Sequence, residues 1–236
     1  MTGSSRGIGK AIALELAAKG ADVVVNYRRQ RQLALDVVTK IRAMGRRSIA
    51  VRADIARLSH VMALMDRIAK EFGSLDILVN NAAISAFRRV EDMRDRDWDR
   101  TLNVNFKGVV WCVREALKIM NPNGKIVSLT SFGIFTYIPR YGPIAACKAA
   151  IESLTRTLSV ELTERDINVN VVNGGPIATE SLKFFVAEAR QWSERTPMKR
   201  IGTPEDLAHV VAFLCSDEAR WIRGQSILVD GGMTIM

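Results

Sequence analysis

Thr2-Gly3-Ser4-Ser5-Arg6-Gly7-Ile8-Gly9 opens the chain and decides how the rest is read. Its three glycines are spaced G-x3-G-x-G, and an apolar rhythm of helical period begins at once. Ile8, Ile12 and Leu16 recur with Ala11, Leu14 and Ala18 beside them, up to a stop at Gly20. Glycine lets the backbone turn tightly and approach a ligand closely. The N-terminus of the adjoining helix offers free N–H groups and a partial positive charge, which suits a diphosphate. A glycine loop alone is a weak signal, because a plain turn has the same composition. The segments downstream of Gly20 give it context.

Beyond this loop and helix, strand-like and helix-like segments alternate strictly. Residues 21–27, 47–52, 75–80, 125–129, 168–172 and 226–229 are short, largely apolar runs that predict strands. Between them, 30–44, 58–71, 95–120, 143–164, about 180–195 and 204–216 carry helical patterns. Continuous apolar strands are expected where both faces of a sheet are covered. The pattern predicts an α/β fold, a doubly wound parallel sheet of the Rossmann kind, as one domain over residues 1–236. No composition shift, linker or repeat divides the chain. A dinucleotide loop of this type should come after a central strand, yet only Met1 precedes Thr2. Either the gene begins upstream, the reading favoured here, or the sheet lacks that first strand. The second case would leave two neighbouring strands with unpaired edges.

Composition narrows the function classes. The 236 residues are 48% hydrophobic and 25% charged, which excludes disorder, and no run approaches the ~20 apolar residues of a membrane span. No secretion signal opens the chain, so a cytoplasmic protein is expected. Cys112, Cys147 and Cys215 are odd in number and widely spaced, which suits a reducing compartment. With only His60 and His209, neither a His-rich metal site nor a Ser-His-Asp triad is expected, and no metal is assigned. The net charge of +9 favours acidic partners. Nucleic acid is set aside, because no recognition motif accompanies the basic residues and many alternate with acids, as in Glu91-Asp92-Met93-Arg94-Asp95-Arg96-Asp97.

The second strand ends in Asn26-Tyr27-Arg28-Arg29, where a carboxylate would bind the 2′-hydroxyl of NAD. No carboxylate stands there, and Arg28, Arg29 and Arg6 surround the position. Guanidinium suits a 2′-phosphate, so NADPH is the expected cofactor.

Taken together, Thr2-Gly3…Gly7-Ile8-Gly9, Asp54, Asn80-Asn81-Ala82-Ala83, Asn105, Ser131, Tyr141, Lys148 and Asp230-Gly231-Gly232 resemble the short-chain dehydrogenase/reductase superfamily. The resemblance covers the whole chain except the absent first strand. It implies that Gly3, Ser5, Arg6, Gly7, Ile8 and Gly9 cradle the cofactor phosphates, with Arg28 near the 2′-phosphate. Asp54, Ile55, Asn81 and Ala82 would flank the adenine and ribose; Gly174, Ile177 and Thr179 would lie along the nicotinamide half. Lys148 would hold the nicotinamide ribose, Ser131 would orient substrate, and Asn105 would kink its helix and support Lys148 through water. The resemblance also implies a homodimer or homotetramer.

One departure is informative. Most members carry Tyr-x3-Lys, but the usual tyrosine position is Ile144 here, and the chain reads Tyr141-Gly142-Pro143-Ile144-Ala145-Ala146-Cys147-Lys148. Tyr-x6-Lys resembles the enoyl-acyl-carrier-protein reductases of the superfamily, and specifically the FabL type. Ser128-Leu129-Thr130-Ser131-Phe132-Gly133, Asn173-Gly174-Gly175-Pro176, Ser181-Leu182-Lys183-Phe184-Phe185 and Ile222-Arg223-Gly224-Gln225 also match that branch. Seven helical residues return to nearly the same face about 10 Å further along the axis, against about 6 Å for four. A carbonyl reductase needs its acid on the oxygen of the carbon that takes hydride. An enoyl thioester takes hydride at C3 while charge develops on the C1 oxygen, so a displaced tyrosine suits it.

The expected activity is therefore NADPH-dependent reduction of an enoyl thioester in fatty acid synthesis, on acyl carrier protein or acyl-CoA. Two alternatives stay open: a 3-oxoacyl or other carbonyl reductase, and a non-catalytic NADP-binding member. The catalytic candidates are Tyr141, Lys148, Ser131 and Asn105. Residues 180–196 read as a substrate lid carrying Phe184 and Phe185, and Tyr137 is a further candidate for the pocket wall. Arg88 and Arg89 are candidates for docking an acidic carrier.

Overall fold

The computed structural model describes residues 1–84 and 87–235. Its strands are β1 (Val23–Tyr27), β2 (Ser48–Arg52), β3 (Leu75–Asn80), β4 (Met120–Ser131), β5 (Asn168–Gly174) and β6 (Ser226–Val229). Its α-helices are α1 (Gly7–Ala18), α2 (Arg31–Ala43), α3 (Leu58–Phe72), α4 (Asp95–Leu102), α5 (Gly108–Ala116), α6 (Gly142–Glu161), α7 (Val186–Arg195) and α8 (Pro204–Leu214). All strand pairs are parallel. β1 and β5 are buried at every residue, which is why their sequences are continuous rather than alternating.

Helices cover both faces. Ile12 and Leu16 of α1, Val37 and Ile41 of α2, and Leu207 and Val211 of α8 form one core cluster. Val61, Leu64 and Ile68 of α3 and Cys112 and Val113 of α5 form the cluster on the other face. The doubly wound parallel architecture is thus as the alternation predicts. All three cysteines are buried and unpaired. No helix among the described residues is long and apolar enough to cross a membrane.

The sheet is split. β1 pairs only with β2, and β3 to β6 form a second sheet in the order β3-β4-β5-β6. Between β1 and β3, Met1 and Thr2 bond to both edges. The Met1 nitrogen donates to Val24 O (3.2 Å), Asn26 N donates to Met1 O (3.3 Å) and Thr2 N donates to Val79 O (3.0 Å). Beyond Met1 lies a cavity of about 310 Å³ lined by Leu16, Val23, Val24, Phe72, Ile77 and Val79 among others.

Three expectations are corrected. The helix expected over 95–120 is interrupted by a π turn at Asn103–Lys107 and stops at Ala116. The cause is Asn105, whose amide pairs with the Ile84 backbone in both directions, at 2.9 Å each way. Asn121-Pro122-Asn123-Gly124, expected to end that helix ahead of a strand, lies within β4 itself. Asn123 takes φ +63°, and Asn121 Nδ2 donates to Ser74 Oγ (2.9 Å) and Asp76 Oδ1 (2.7 Å). These side-chain bonds hold the irregular start of β4 beside β3. The segment 180–195 is also two pieces, a 3-10 stretch at Glu180–Phe185 leading into α7.

Candidate active site

The glycine loop is held from its flanks. Thr2 Oγ1 accepts from Asn81 N (3.0 Å) and Ala82 N (3.1 Å), while Asn81 Nδ2 donates to Thr2 O (3.1 Å) and Gly3 O (3.0 Å). Gly3 N donates to Asn26 Oδ1 (3.1 Å), and Asn26 Nδ2 donates to Ala53 O (3.1 Å). Asn26 thereby ties the ends of β1 and β2 to the loop. Gly3 and Gly7 sit at φ +60° and +53°, a region that favours glycine. A Cβ on Gly9 would overlap Gly3 O and lie 2.6 Å from Asn81 Nδ2, so only hydrogen fits there.

The N-terminus of α1 has no side-chain cap and faces a cavity of about 590 Å³. Free N–H groups beside such a cavity suit a diphosphate. Of the expected cofactor residues, Gly3, Ser5, Arg6, Gly7, Ile8, Gly9, Arg28, Asp54, Ile55, Asn81, Ala82 and Thr179 line this cavity. Arg29, argued from the basic pair, lines it too, as do Asn26, Tyr27, Ala83, Ile84, Val104, Glu180 and Ser181, for which the sequence pattern assigns no cofactor contact. Gly174 and Ile177 do not line it. Gly174 lies within β5 against Leu207, and Ile177 bridges to Gly202 and packs into the core with α8. It is the family resemblance that implies a place for them beside the cofactor; in the structure both are buried.

The guanidiniums meet acids at the rim. Arg6 pairs with Glu180, and Arg28 stands 3.9 Å from Asp54. The Arg6–Glu180 pair joins the glycine loop to the start of the lid across the mouth of the cavity. Methyl-free backbone, an uncapped helix end and clustered guanidiniums together fit a phosphorylated dinucleotide.

β4 delivers Ser131 to its carboxyl end, where Ser131 Oγ accepts from Gly133 N (3.3 Å). Tyr141 occupies the N-cap of α6, with Pro143 in the first turn, where its missing N–H has no cost. The Tyr141 ring lies over Gly133, where an added Cβ would sit 2.8 Å from it. Burial pushes the Tyr141 phenol up from its ordinary pKa, and the neighbouring Ser131 hydroxyl opposes the shift. Tyr141 is therefore protonated and able to donate. Two turns further along α6, Lys148 is buried and its Nζ donates to Leu129 O at 2.7 Å. Burial lowers its pKa to about 8, with the Cys147 thiol opposing. The end of β4 thus gathers Leu129, Ser131, Tyr141 and Lys148. Asn105 is buried, and its side chain is committed to Ile84.

An aromatic cluster closes over Tyr141. Phe87 stacks on the Tyr141 ring at 6.2 Å and 21°, and touches Phe184 at 5.1 Å and Phe185 at 4.7 Å. Trp192 of α7 meets both Phe185 (5.7 Å) and Phe132 (5.6 Å). Phe184 and Phe185 are thus linked to the tyrosine through Phe87. Tyr137 is not; it is 85% exposed and outside the cluster, because the turn after β4 points it to solvent. Phe87 had no signal in the sequence, being a single aromatic in an irregular segment. Arg88 and Arg89 are paired to Asp97 (3.8 Å) and Glu91 (2.7 Å). No metal-binding group of His, Cys, Asp and Glu occurs among the described residues.

Comparison with known proteins agrees with this geometry. A family model described as "Enoyl-(Acyl carrier protein) reductase" matches residues 3–234. The chain is 40% identical to 1-cyclohexenylcarbonyl-CoA reductase of Streptomyces collinus, covering all of this chain and 86% of that protein. It is 39% identical to the 3-oxoacyl-[acyl-carrier-protein] reductase FabG of Staphylococcus epidermidis, covering 99% and 97%. A short chain dehydrogenase from Burkholderia cenocepacia, solved in complex with NADP, superposes with a TM-score of 0.95 at 39% identity over 99% of this chain and 96% of that one. With its glycine loop, buried lysine and tyrosine-bearing helix in these places, the chain belongs to the short-chain dehydrogenase/reductase superfamily.

Proposed function

We propose that this protein is an NADPH-dependent reductase that saturates the 2,3 double bond of an enoyl thioester carried on coenzyme A or acyl carrier protein. The observation that carries the reading is the position of Tyr141, seven residues before Lys148 and at the very start of α6. The cofactor is NADPH: Arg6, Arg28 and Arg29 rim its cavity, no acid replaces them at the end of β1, and the Burkholderia relative was solved with NADP. The bound nicotinamide supplies hydride. The uncapped end of α1 and the glycine loop would hold its diphosphate, and Lys148 would hold the nicotinamide ribose.

Tyr141 donates a hydrogen bond to the thioester oxygen as charge develops there. Such a donor contributes about 3–4 kcal/mol to a transition state. Ser131 accepts or donates beside it and orients the acyl group. The charge of Lys148 near the site favours the enolate. Phe87, Phe184, Phe185 and Trp192 exclude water from the acyl chain. The family description and the cyclohexenylcarbonyl-CoA reductase support enoyl reduction.

A second reading, reduction of a 3-oxoacyl thioester, is favoured by one observation: the Ser131 hydroxyl close to the Tyr141 phenol, which suits protonation of a carbonyl oxygen. The FabG relative has that activity in its name. NADPH oxidation measured side by side on crotonyl-CoA and acetoacetyl-CoA separates the two. Faster turnover of crotonyl-CoA is expected; turnover of acetoacetyl-CoA alone overturns the first reading.

A further inference from the structure

Glu152 is a buried carboxylate in α6, four residues and one turn after Lys148. It has no ion-pair partner among the described residues. One of its oxygens, Oε1, accepts three hydrogen bonds instead. They come from Thr130 Oγ1 of β4 (2.8 Å), Asn173 Nδ2 of β5 (2.8 Å) and Ser226 Oγ of β6 (2.9 Å). A single oxygen thus joins one helix to three adjacent strands.

Placement along β4 is what links this junction to chemistry. Thr130 stands between Leu129, whose carbonyl receives Lys148, and Ser131. Two successive turns of one α6 face are therefore bonded to two successive residues of β4. Lys148 alone would let the helix pivot about its contact with Leu129. With Glu152 added, α6 can neither slide along β4 nor rotate about its own axis without breaking charge-assisted bonds. Tyr141 rides at the free N-terminal end of that helix, against Ser131.

The network carries a cost that packing alone would avoid. An unpaired buried carboxylate is unfavourable relative to an apolar side chain of similar volume. Asn173 is fully buried, and its Oδ1 has no hydrogen-bond partner, so its amide is oriented through the bond to Glu152. An arrangement that bears this cost at the back of a reaction centre points to positional control rather than to stability.

We propose that Glu152 is a positioning residue that holds α6 in register with β4, β5 and β6 and so sets Tyr141 and Lys148 against Ser131. It touches neither cofactor nor substrate, and the inference rests on the reading of Tyr141 and Lys148 as the reaction centre. Displacing reacting groups by about 1 Å costs up to roughly 100-fold in rate.

The test compares Glu152→Leu, which keeps volume but removes the acceptor, with Glu152→Gln, whose Oε1 still accepts from all three donors. Tyr141→Phe is measured in parallel, and rates are taken per site titrated with NADPH. Glu152→Leu is expected to lower kcat roughly 10- to 100-fold while the KM for NADPH changes by less than about threefold. Glu152→Gln is expected to recover most of that loss. Wild-type kcat in Glu152→Leu overturns the proposal, as does a loss that disappears when rates are taken per titrated site. A Gln variant as impaired as the Leu variant also overturns it, because the acceptor would then not be what matters. If Tyr141→Phe keeps full activity, the reaction centre itself has been misread, and that failure is separate from the others.

Discussion

Two cavities open along the line between β1 and β3, one on each side of Met1 and Thr2, and they are built differently. The larger, about 590 Å³, lies at the carboxyl ends of the strands and is surrounded by the glycine loop, Asn26, Asn81 and three arginines. The smaller, about 310 Å³, lies along the body of the strands and is lined by Val23, Val24, Ile77 and Val79 with facing strand edges. In the first, backbone groups are fixed by side-chain hydrogen bonds from Thr2, Asn26 and Asn81. The second has polar groups on its rim as well: Arg47 N donates to Asp22 Oδ1 (2.9 Å), Arg46 pairs with Asp22 (3.0 Å), and Asn121 donates to Ser74 and Asp76. Around the larger cavity the fixed groups belong to the glycine loop and the strand ends; around the smaller one Asp22, Arg46, Arg47, Ser74 and Asp76 sit beside the valines and isoleucine of β1 and β3. The glycine loop is held from its flanks by Thr2, Asn26 and Asn81.

Substitutions put the contrast between the two cavities at risk. The largest effect is expected from Gly9→Ala, since its methyl would overlap Gly3 O. NADPH affinity should fall at least about 100-fold in a fluorescence titration, the cost of a clash in a packed loop. Unchanged affinity would mean that the larger cavity does not take the diphosphate. Arg6→Ala should weaken NADPH roughly tenfold and NADH little, since one charge-assisted contact to phosphate is lost while Arg28 and Arg29 stay. Equal weakening of both cofactors would move the 2′-phosphate away from Arg6.

A pH profile probes the functional side of the same contrast. Lys148 has its pKa lowered by burial to about 8, from an ordinary 10.5. Its charge is then lost as pH rises through about 8, and kcat/KM should fall above that point by up to tenfold per unit. The folded state binds fewer protons than the unfolded one between about 8 and 10.5, so this group makes stability rise with pH across that window. Activity and stability should therefore move in opposite directions there, read by turnover and by urea midpoints. The smallest effect is expected at the other cavity. Ala21→Leu should fill part of it and add about 1 kcal/mol, or about 2–4 °C in Tm, with NADPH affinity unchanged. A change in NADPH affinity would show that the two cavities are coupled.

Much of the fold was legible because burial on both faces writes itself directly into composition. The glycine loop, the valine runs of β1 and β5 and the alternation of periods all report local requirements that only certain residues meet. The pair Tyr141 and Lys148 was legible for the same reason, since a fixed helical rise turns spacing into distance. The break at Asn105 was implied by the family resemblance, but the partner that makes it, Ile84, lies twenty-one residues away and carried no signal. Gly174 and Ile177 were placed at the cofactor by the family resemblance alone, and in the structure they pack against Leu207 and Gly202.

Short stretches of residues were enough for the parallel α/β class, the loop that suits a diphosphate, the basic rim that suits a 2′-phosphate and the displaced tyrosine. Each depends on local backbone geometry or on residue chemistry at one place in the chain. The closing of Phe87 on Tyr141, the exposure of Tyr137 and the junction of Glu152 with three strands emerged only in three dimensions. The contacts behind them join residues far apart in the chain, and which of those residues meet is set by close packing of the whole fold.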